Sequence, residues 1–486
     1  MSRVIFRAGL WLAAGVALGR LAGFVREAIL AARFGRSAEG DAAVLVLTLP
    51  DTVINLLVGS AMTVALVPVL AERRPRGAHG PVIRAALVAG TLAGVGLWVG
   101  VALAGLPLVA LLAPGLPAPA AAAAAGVLPI ALAAIPAALI SSVLGAVLQE
   151  RYRTATTALG TLVFNGAVIV GLLVAGAEAT LLALAVALLI GAVLRLALQV
   201  WDVRRDPPAP VPTVPEPLPP GMVLAYGQAL LAGGALLLVP VLGRAFASQA
   251  GAGEIAAYTY ATKLFELPLG VALTVVAQAL FAKLAALRAE GRTAEARELL
   301  AQGLTLVGVL AGACTGVLAV GGPVLAEAAF ARGRMSVADA HHIGALAALL
   351  AAALPLAALA SLVTGWLNAG RDTRTPLVAG GLGLLVFAVV AALGSGQVQQ
   401  VILATVLLHG VVLAVLVWGA RQELPWRPGV IVPGVVAGGV AALVAWLVPA
   451  EGALVLRLAV VGTAGVVGLV AGALLVPAVR RRLRRS

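Results

Sequence analysis

The chain has 486 residues, of which 62% are hydrophobic and only 11% charged, with a formal net charge of +13. That apolar content excludes an ordinary soluble globular protein, and the long continuous runs of Ala, Val, Leu and Gly lack the alternating ten-residue segments of a β-barrel. The basic excess would suggest nucleic acid in a soluble protein, but here it sits in short loops between apolar runs, as the positive-inside rule requires.

At about 20 apolar residues per span, the sequence predicts an all-α polytopic membrane protein of about fourteen transmembrane helices. The first, over 4–32, opens with Arg3 and Arg7 like a signal sequence. It continues past signal-peptide length with no convincing cleavage site and is read as a retained helix. Five more spans follow at 42–71, 82–113, 120–149, 156–177 and 179–201. The stretch DVRRDPPAPVPTVPEPLPPG, Asp202 to Gly221, is a proline-rich and semi-rigid linker. Beyond it lie six spans at 221–246, 254–287, 298–330, 336–370, 373–395 and 397–420, then a final pair at 428–449 and 452–479. The expected organisation is an N-terminal lobe (1–201), a cytoplasmic linker (202–220), a C-terminal lobe (221–420) and a last helix pair with a basic tail (421–486). Two six-helix lobes suggest a structural repeat with substrate held between them near the bilayer midplane. Of the 33 basic residues, 23 fall on one side of this arrangement and 5 on the other, which places both termini in the cytoplasm.

The charges inside apolar runs carry the functional signal, because an ionisable group at the bilayer centre costs roughly 2.5 to 3.5 kcal/mol on insertion scales. In GRLAGFVREAILAARFGRSAEGDAAVLVLTLPD, Gly19 to Asp51, they are Arg20, Arg26 and Glu27. Measured from Arg7 along a straight helix, Arg20 lies about 20 Å deep and Arg26 about 29 Å. Arg20 and Glu27 are seven apart and share a face, with Arg26 turned away from them. Two readings are open. Arg20 and Arg26 line a polar cavity and grip an anionic group, for which the always-charged, bidentate guanidinium is suited. Alternatively, Arg26 and Glu27 end the helix at the outer interface, and Arg20 pairs internally with Asp41 or Asp51. In the second span Asp51, Asn55, Ser60 and Thr63 form an interrupted polar stripe after Pro50, of which Asn55 is the better cavity candidate. In YTYATKLFELPLG, Lys263 either faces the first helix's arginines or pairs with Glu266 three residues on. Arg332 and Arg334 read as an external loop.

The single cysteine, Cys314, allows no disulfide framework. The histidine placement points away from a metal site, and no HExxH, Walker or Rossmann motif is present, so no cofactor and no ATP or redox chemistry is expected.

The runs RLAGFVREAILAARFG, GDAAVLVLTLPD, ALVPVLAE, LLAPGLP, YATKLFELPLGVAL, FARGRMSVADA and LNAGRDTRTPL, in this order along the chain, resemble the MurJ (MviN) lipid II flippases of the MOP exporter superfamily. The resemblance implies fourteen helices in the bacterial inner membrane, with two lobes around a cationic cavity and a last helix pair forming a lipid-tail groove. It implies outward movement of a polyprenyl-pyrophosphate-linked peptidoglycan precursor by alternating access, with membrane lipids and cell-wall synthesis proteins as partners. By position, Arg20, Arg26 and Asp41 match charged residues of the family, Glu27 stands where aspartate is usual, and Lys263 stands where arginine is common. The chain departs from the family after Pro50. The family reads NLLRR, whereas this chain has Ile54 and Asn55 in the arginine positions, so the cavity has lost positive charge. The seventh and eleventh spans are too poor in oxygen ligands for the sodium site of some members. Other readings are a flippase for a different lipid-linked oligosaccharide, a multidrug exporter of the same superfamily, a membrane enzyme of glycan assembly using Asp41 and Asp51, and a non-transporting scaffold.

Overall fold

The computed structural model describes residues 3–58, 66–67, 69–72, 79–151, 153, 155–175, 180–205, 238–270, 274–370, 372–394, 396–425, 428–447 and 452–476. Its regular structure is helical throughout these residues, as expected of a chain whose backbone must satisfy its own hydrogen bonds in lipid. Nine described helices are long and apolar enough to cross a membrane, or ten if one bent pair is a single span. The chain is thus a multi-pass membrane protein. The expected spans 42–71 and 221–246, like most of the proline-rich linker, run into residues outside those described. Within the expected span 254–287, Glu254–Pro268 and Thr274–Ala289 are helical, and residues 271–273 lie outside those described.

The molecule divides into two compact units, residues 1–256 and 257–486. The first contains α1 (Arg3–Phe34), α2 (Ala38–Val58), α3 (His79–Leu112), α4 (Ala118–Leu132), α5 (Ala134–Glu150), α6 (Ala155–Val174), α7 (Leu181–Arg204) and α8 (Val239–Ala247), and it ends in the first turn of α9 (Glu254–Pro268). Here α6 is sandwiched between α1 and α7, while α2 and α3 each pack on α4 and α5. The second unit contains the rest of α9, then α10 (Thr274–Ala289), α11 (Thr293–Phe330), α12 (Val337–Leu350), α13 (Ala353–Ala369), α14 (Arg374–Leu393), α15 (Val398–Gly419), α16 (Pro428–Leu447) and α17 (Leu454–Leu475).

Each unit carries a broken helix with the same cause. Between α4 and α5 the break falls at Ala133, three residues before Pro136. Between α12 and α13 it falls at Ala351 and Ala352, just before Pro355, with a 46° bend. A proline lacks the N–H for the i−4 bond and its ring crowds that carbonyl, so the chain yields at the preceding turn. A side chain from a neighbouring helix stitches each break. Trp98 Nε1 of α3 donates to the Pro129 carbonyl at 2.8 Å, and Thr315 Oγ1 of α11 donates to the Ala351 carbonyl at 3.3 Å.

The loops that follow these broken helices are built on polar side chains. Asp202, at the end of α7, accepts from Arg153 and Thr156. In the second unit Asp372 accepts the Thr375 hydroxyl and the N–H groups of Thr375 and Arg374. These bonds, the Thr375 hydroxyl first, hold the Asp372 carboxyl below the usual carboxylate range.

Small residues let α11 and α16 approach backbone to backbone. A Cβ at Gly316 would overlap the Gly438 carbonyl oxygen and lie 2.9 Å from the Ala441 Cβ, whereas one at Gly439 would meet nothing within 4 Å. Gly316→Ala is therefore expected to lower the melting temperature of the purified protein, through overpacking of about 1–3 kcal/mol. Gly439→Ala should leave it unchanged or raise it. Equal melting temperatures for the two variants would refute this account of the α11–α16 contact.

Candidate functional site

The charges of α1 and α2 come together as a buried network in the first unit. Arg26 is 5% exposed and Glu27 fully buried. Arg26 Nη2 bonds Asp51 Oδ2 at 2.9 Å and Glu27 Oε1 at 3.2 Å. The pairing solves a problem the sequence poses locally, because an uncompensated guanidinium at this depth would be expelled or hydrated. Neither Arg26 nor Glu27 ends the helix, since α1 continues to Phe34.

Arg20 behaves differently. It is exposed, and it has no ion pair or hydrogen bond among the described residues. The residue before it, Gly19, is buried against Thr161 of α6, and the Gly19 carbonyl accepts from Asn165 Nδ2 at 3.2 Å. That clamp of α6 on α1 turns Arg20 outward. The seven-residue spacing of Arg20 and Glu27 thus does not give them one environment. They stand about 10 Å apart along α1, and the carboxylate is enclosed where the guanidinium is open. The internal pairing considered for Arg20 is absent from the described contacts, because Asp51 goes to Arg26 and Asp41 goes to backbone.

Asp41, 1% exposed in the first turn of α2, accepts the N–H of Gly253 at 2.6 Å and that of Ala256 at 2.8 Å. These are among the backbone donors that the start of a helix leaves without intrahelical partners, here those of α9. Beside it Arg36 Nη1 bonds Glu254 Oε1 at 2.9 Å. Thr52 of α2 accepts from Arg244 of α8 at 3.3 Å. In the second unit Lys263 Nζ bonds Glu266 Oε2 at 2.8 Å, the i,i+3 pairing that the sequence offers. Asn55 lies on α2, and its side chain, like that of Ile54, is outside the described residues. Arg332 and Arg334 are exposed.

Sequence reasoning gave no role to Arg195 of α7, which sits in the electrostatic field of Asp51 and whose Nε is buried without a partner among the described residues. The available signal was a lone arginine in the middle of an otherwise apolar span. No cluster of three or more His, Cys, Asp or Glu with metal-binding geometry occurs among the described residues. Among the charges of α1, Arg26 is thus engaged by two carboxylates, while Arg20 is exposed and has no partner among the described residues.

The family model "Lipid II flippase MurJ" matches residues 30–474. No curated protein matches the chain in sequence. Among solved structures, a lipid II flippase MurJ in an inward closed conformation is 15% identical with a TM-score of 0.85, covering 96% of this chain and 98% of that one. A multidrug resistance MATE family transporter of the MOP superfamily, inward-facing, is 14% identical with a TM-score of 0.69, covering 84% and 98%. A MOP superfamily transporter from Pyrococcus furiosus, described as having a binding pocket of reversed polarity, is 16% identical with a TM-score of 0.61, covering 86% and 95%. With a family model matched over nine-tenths of its length, this chain belongs to the MurJ lipid II flippase family.

Proposed function

We propose that the protein is a flippase that moves lipid II, a polyprenyl-pyrophosphate-linked peptidoglycan precursor, from the inner to the outer leaflet of the bacterial inner membrane by alternating access. The family match over residues 30–474 carries this reading. It is a transporter and not an enzyme, with both termini in the cytoplasm, where 23 of 28 loop basic residues would lie. Arg20 is the cation open to meet the pyrophosphate. Arg26 and Lys263 supply further positive charge, and Asn55, Glu27, Asp41 and Asp51 complete the polar lining and its gating charges. The lipid-linked glycan and the surrounding lipids are the partners.

Replacing the exposed and unpartnered Arg20 should remove binding without removing packing. In a strain depleted of its own lipid II flippase, Arg20→Ala is expected to reduce rescue of growth by about tenfold or more in plating efficiency, from loss of a charge-assisted contact. Membrane levels and melting temperature should match the parent. Full rescue would exclude Arg20 from substrate binding.

A second reading, a flippase for another lipid-linked oligosaccharide, is favoured by Ile54 and Asn55, which leave fewer cations for a headgroup than the family usually offers. Export of cationic drugs is disfavoured, since the buried Glu27 and the partly exposed Asp51 are both engaged by Arg26. Ethidium efflux lost on Glu27→Gln would support it instead.

A further inference from the structure

Four charges from three helices of the first unit form one cluster. Arg26 is held by two carboxylates at once. Asp51 lies in addition in the field of Arg195 on α7. The Arg195 side chain lies along Gly160 of α6, where a Cβ would come within 3.1 Å of its Cγ, so the glycine makes room for the arginine stem. Counted together, Arg26 and Arg195 balance Glu27 and Asp51, the neutrality that a low-dielectric interior demands of an unliganded ion cluster.

The two carboxylates are not equivalent. The Glu27 side chain is 1% exposed, whereas that of Asp51 is 26% exposed, although its partner Arg26 is only 6% exposed. Neutralising Arg26 needs one carboxylate, and Glu27 already provides it. Asp51 is the accessible member of the set, bonded to the Arg26 guanidinium and within the electrostatic field of Arg195. Pro50 lies immediately before it inside α2 and removes one bond from the helical ladder. The turn just before Asp51 is therefore where α2 is best able to yield.

We infer that Asp51 occupies the place of a substrate phosphate oxyanion on Arg26, so that its carboxylate is a built-in competitor of the substrate, and that Arg195, whose buried Nε has no partner among the described residues, is a second anion-binding cation. The inference rests on the transport reading and deepens it by naming what the pyrophosphate displaces. The pyrophosphate diester of the substrate brings two negative charges, which the cluster can match only if a carboxylate withdraws. Guanidinium forks donate to phosphate oxygens in the geometry in which they donate to a carboxylate. The arrangement also replaces the positive charge missing at Ile54 and Asn55 with a cation from another helix.

The test is native mass spectrometry of the full-length protein with lipid II, competed by inorganic pyrophosphate, for the parent, Asp51→Asn, Arg195→Gln and the double variant. Asn keeps an oxygen for Arg26 and removes the charge. Asp51→Asn is expected to lower the Kd for lipid II by at least about tenfold, as removal of a unit charge a few ångströms from the ligand requires. It should also lower the pyrophosphate concentration needed to compete. Arg195→Gln is expected to raise the parent's Kd severalfold, and the double variant to lose most of the gain. Unchanged or weaker lipid II binding by Asp51→Asn, with a melting temperature equal to the parent's, overturns the inference. So does tightening for free pyrophosphate with none for lipid II. Should Asp51→Asn fail to fold, parental affinity in Arg195→Gln overturns it by itself. Absence of lipid II binding from every variant, the parent included, overturns the transport reading.

Discussion

Arg26→Ala is expected to abolish rescue of a flippase-depleted strain and to lower the thermal stability of the purified protein, in contrast to Arg20→Ala, which touches binding alone. The difference follows from burial. Removing Arg26 leaves Glu27, fully buried, and Asp51 without their shared cation. Breaking a buried ion pair by deleting one partner costs about 3–5 kcal/mol, mostly because the remaining charge is stranded. The triple variant Arg26→Ala, Glu27→Gln, Asp51→Asn should regain much of the stability, since it deletes the stranded charges as well, and still fail to rescue growth. A melting temperature for Arg26→Ala equal to the parent's would show that the cluster contributes nothing to the fold. Rescue by the triple variant would remove Arg26 from the transport mechanism.

The second large effect is expected at Asp41. Its two oxygens accept from Gly253 and Ala256 at 2.6 and 2.8 Å, so Asp41→Ala leaves two buried backbone donors unmet. Each unsatisfied donor costs about 1–3 kcal/mol. The adjacent Arg36–Glu254 pair is partly exposed and worth at most about 1 kcal/mol, too little to hold the turn in its place. Hydrogen exchange should therefore accelerate at the amides of Gly253 and Ala256, and rescue of growth should fall. Asp41→Asn is expected to restore only part of the protection, because one of its two acceptors becomes a donor facing another donor. Parental exchange rates at those amides in Asp41→Ala would refute the role.

Much of this architecture is legible in the sequence, and the unread part has a physical reason. Helices α3, α7, α15 and α17 follow their apolar runs closely, since length and hydropathy alone dictate a span. The breaks at Ala133 and Ala351 sit inside runs read as continuous, although Pro136 and Pro355 mark them. The Lys263–Glu266 pair is readable because its partners are three residues apart on one helix. Arg26 with Asp51 is not, because 25 residues and a change of helix separate them and no local period connects the two. Asp41 with Gly253 is further beyond reach, the carboxylate being answered by backbone that has no side-chain signature. The motif containing Arg20, Arg26 and Asp41 marks where charge concentrates among the first helices, while burial alone separates an open cation from a neutralised one.

The link between Arg26 and Asp51 also bears on how the protein is made. During synthesis α1 emerges carrying Arg20, Arg26 and Glu27, and the second carboxylate partner of Arg26 appears only after another 25 residues have been added. Until then the helix offers the translocon an arginine that costs about 2.5 to 3.5 kcal/mol to partition. Because α1 and α2 pack together and share this pair, insertion of the two as a hairpin would carry Arg26 and Asp51 into the bilayer already paired.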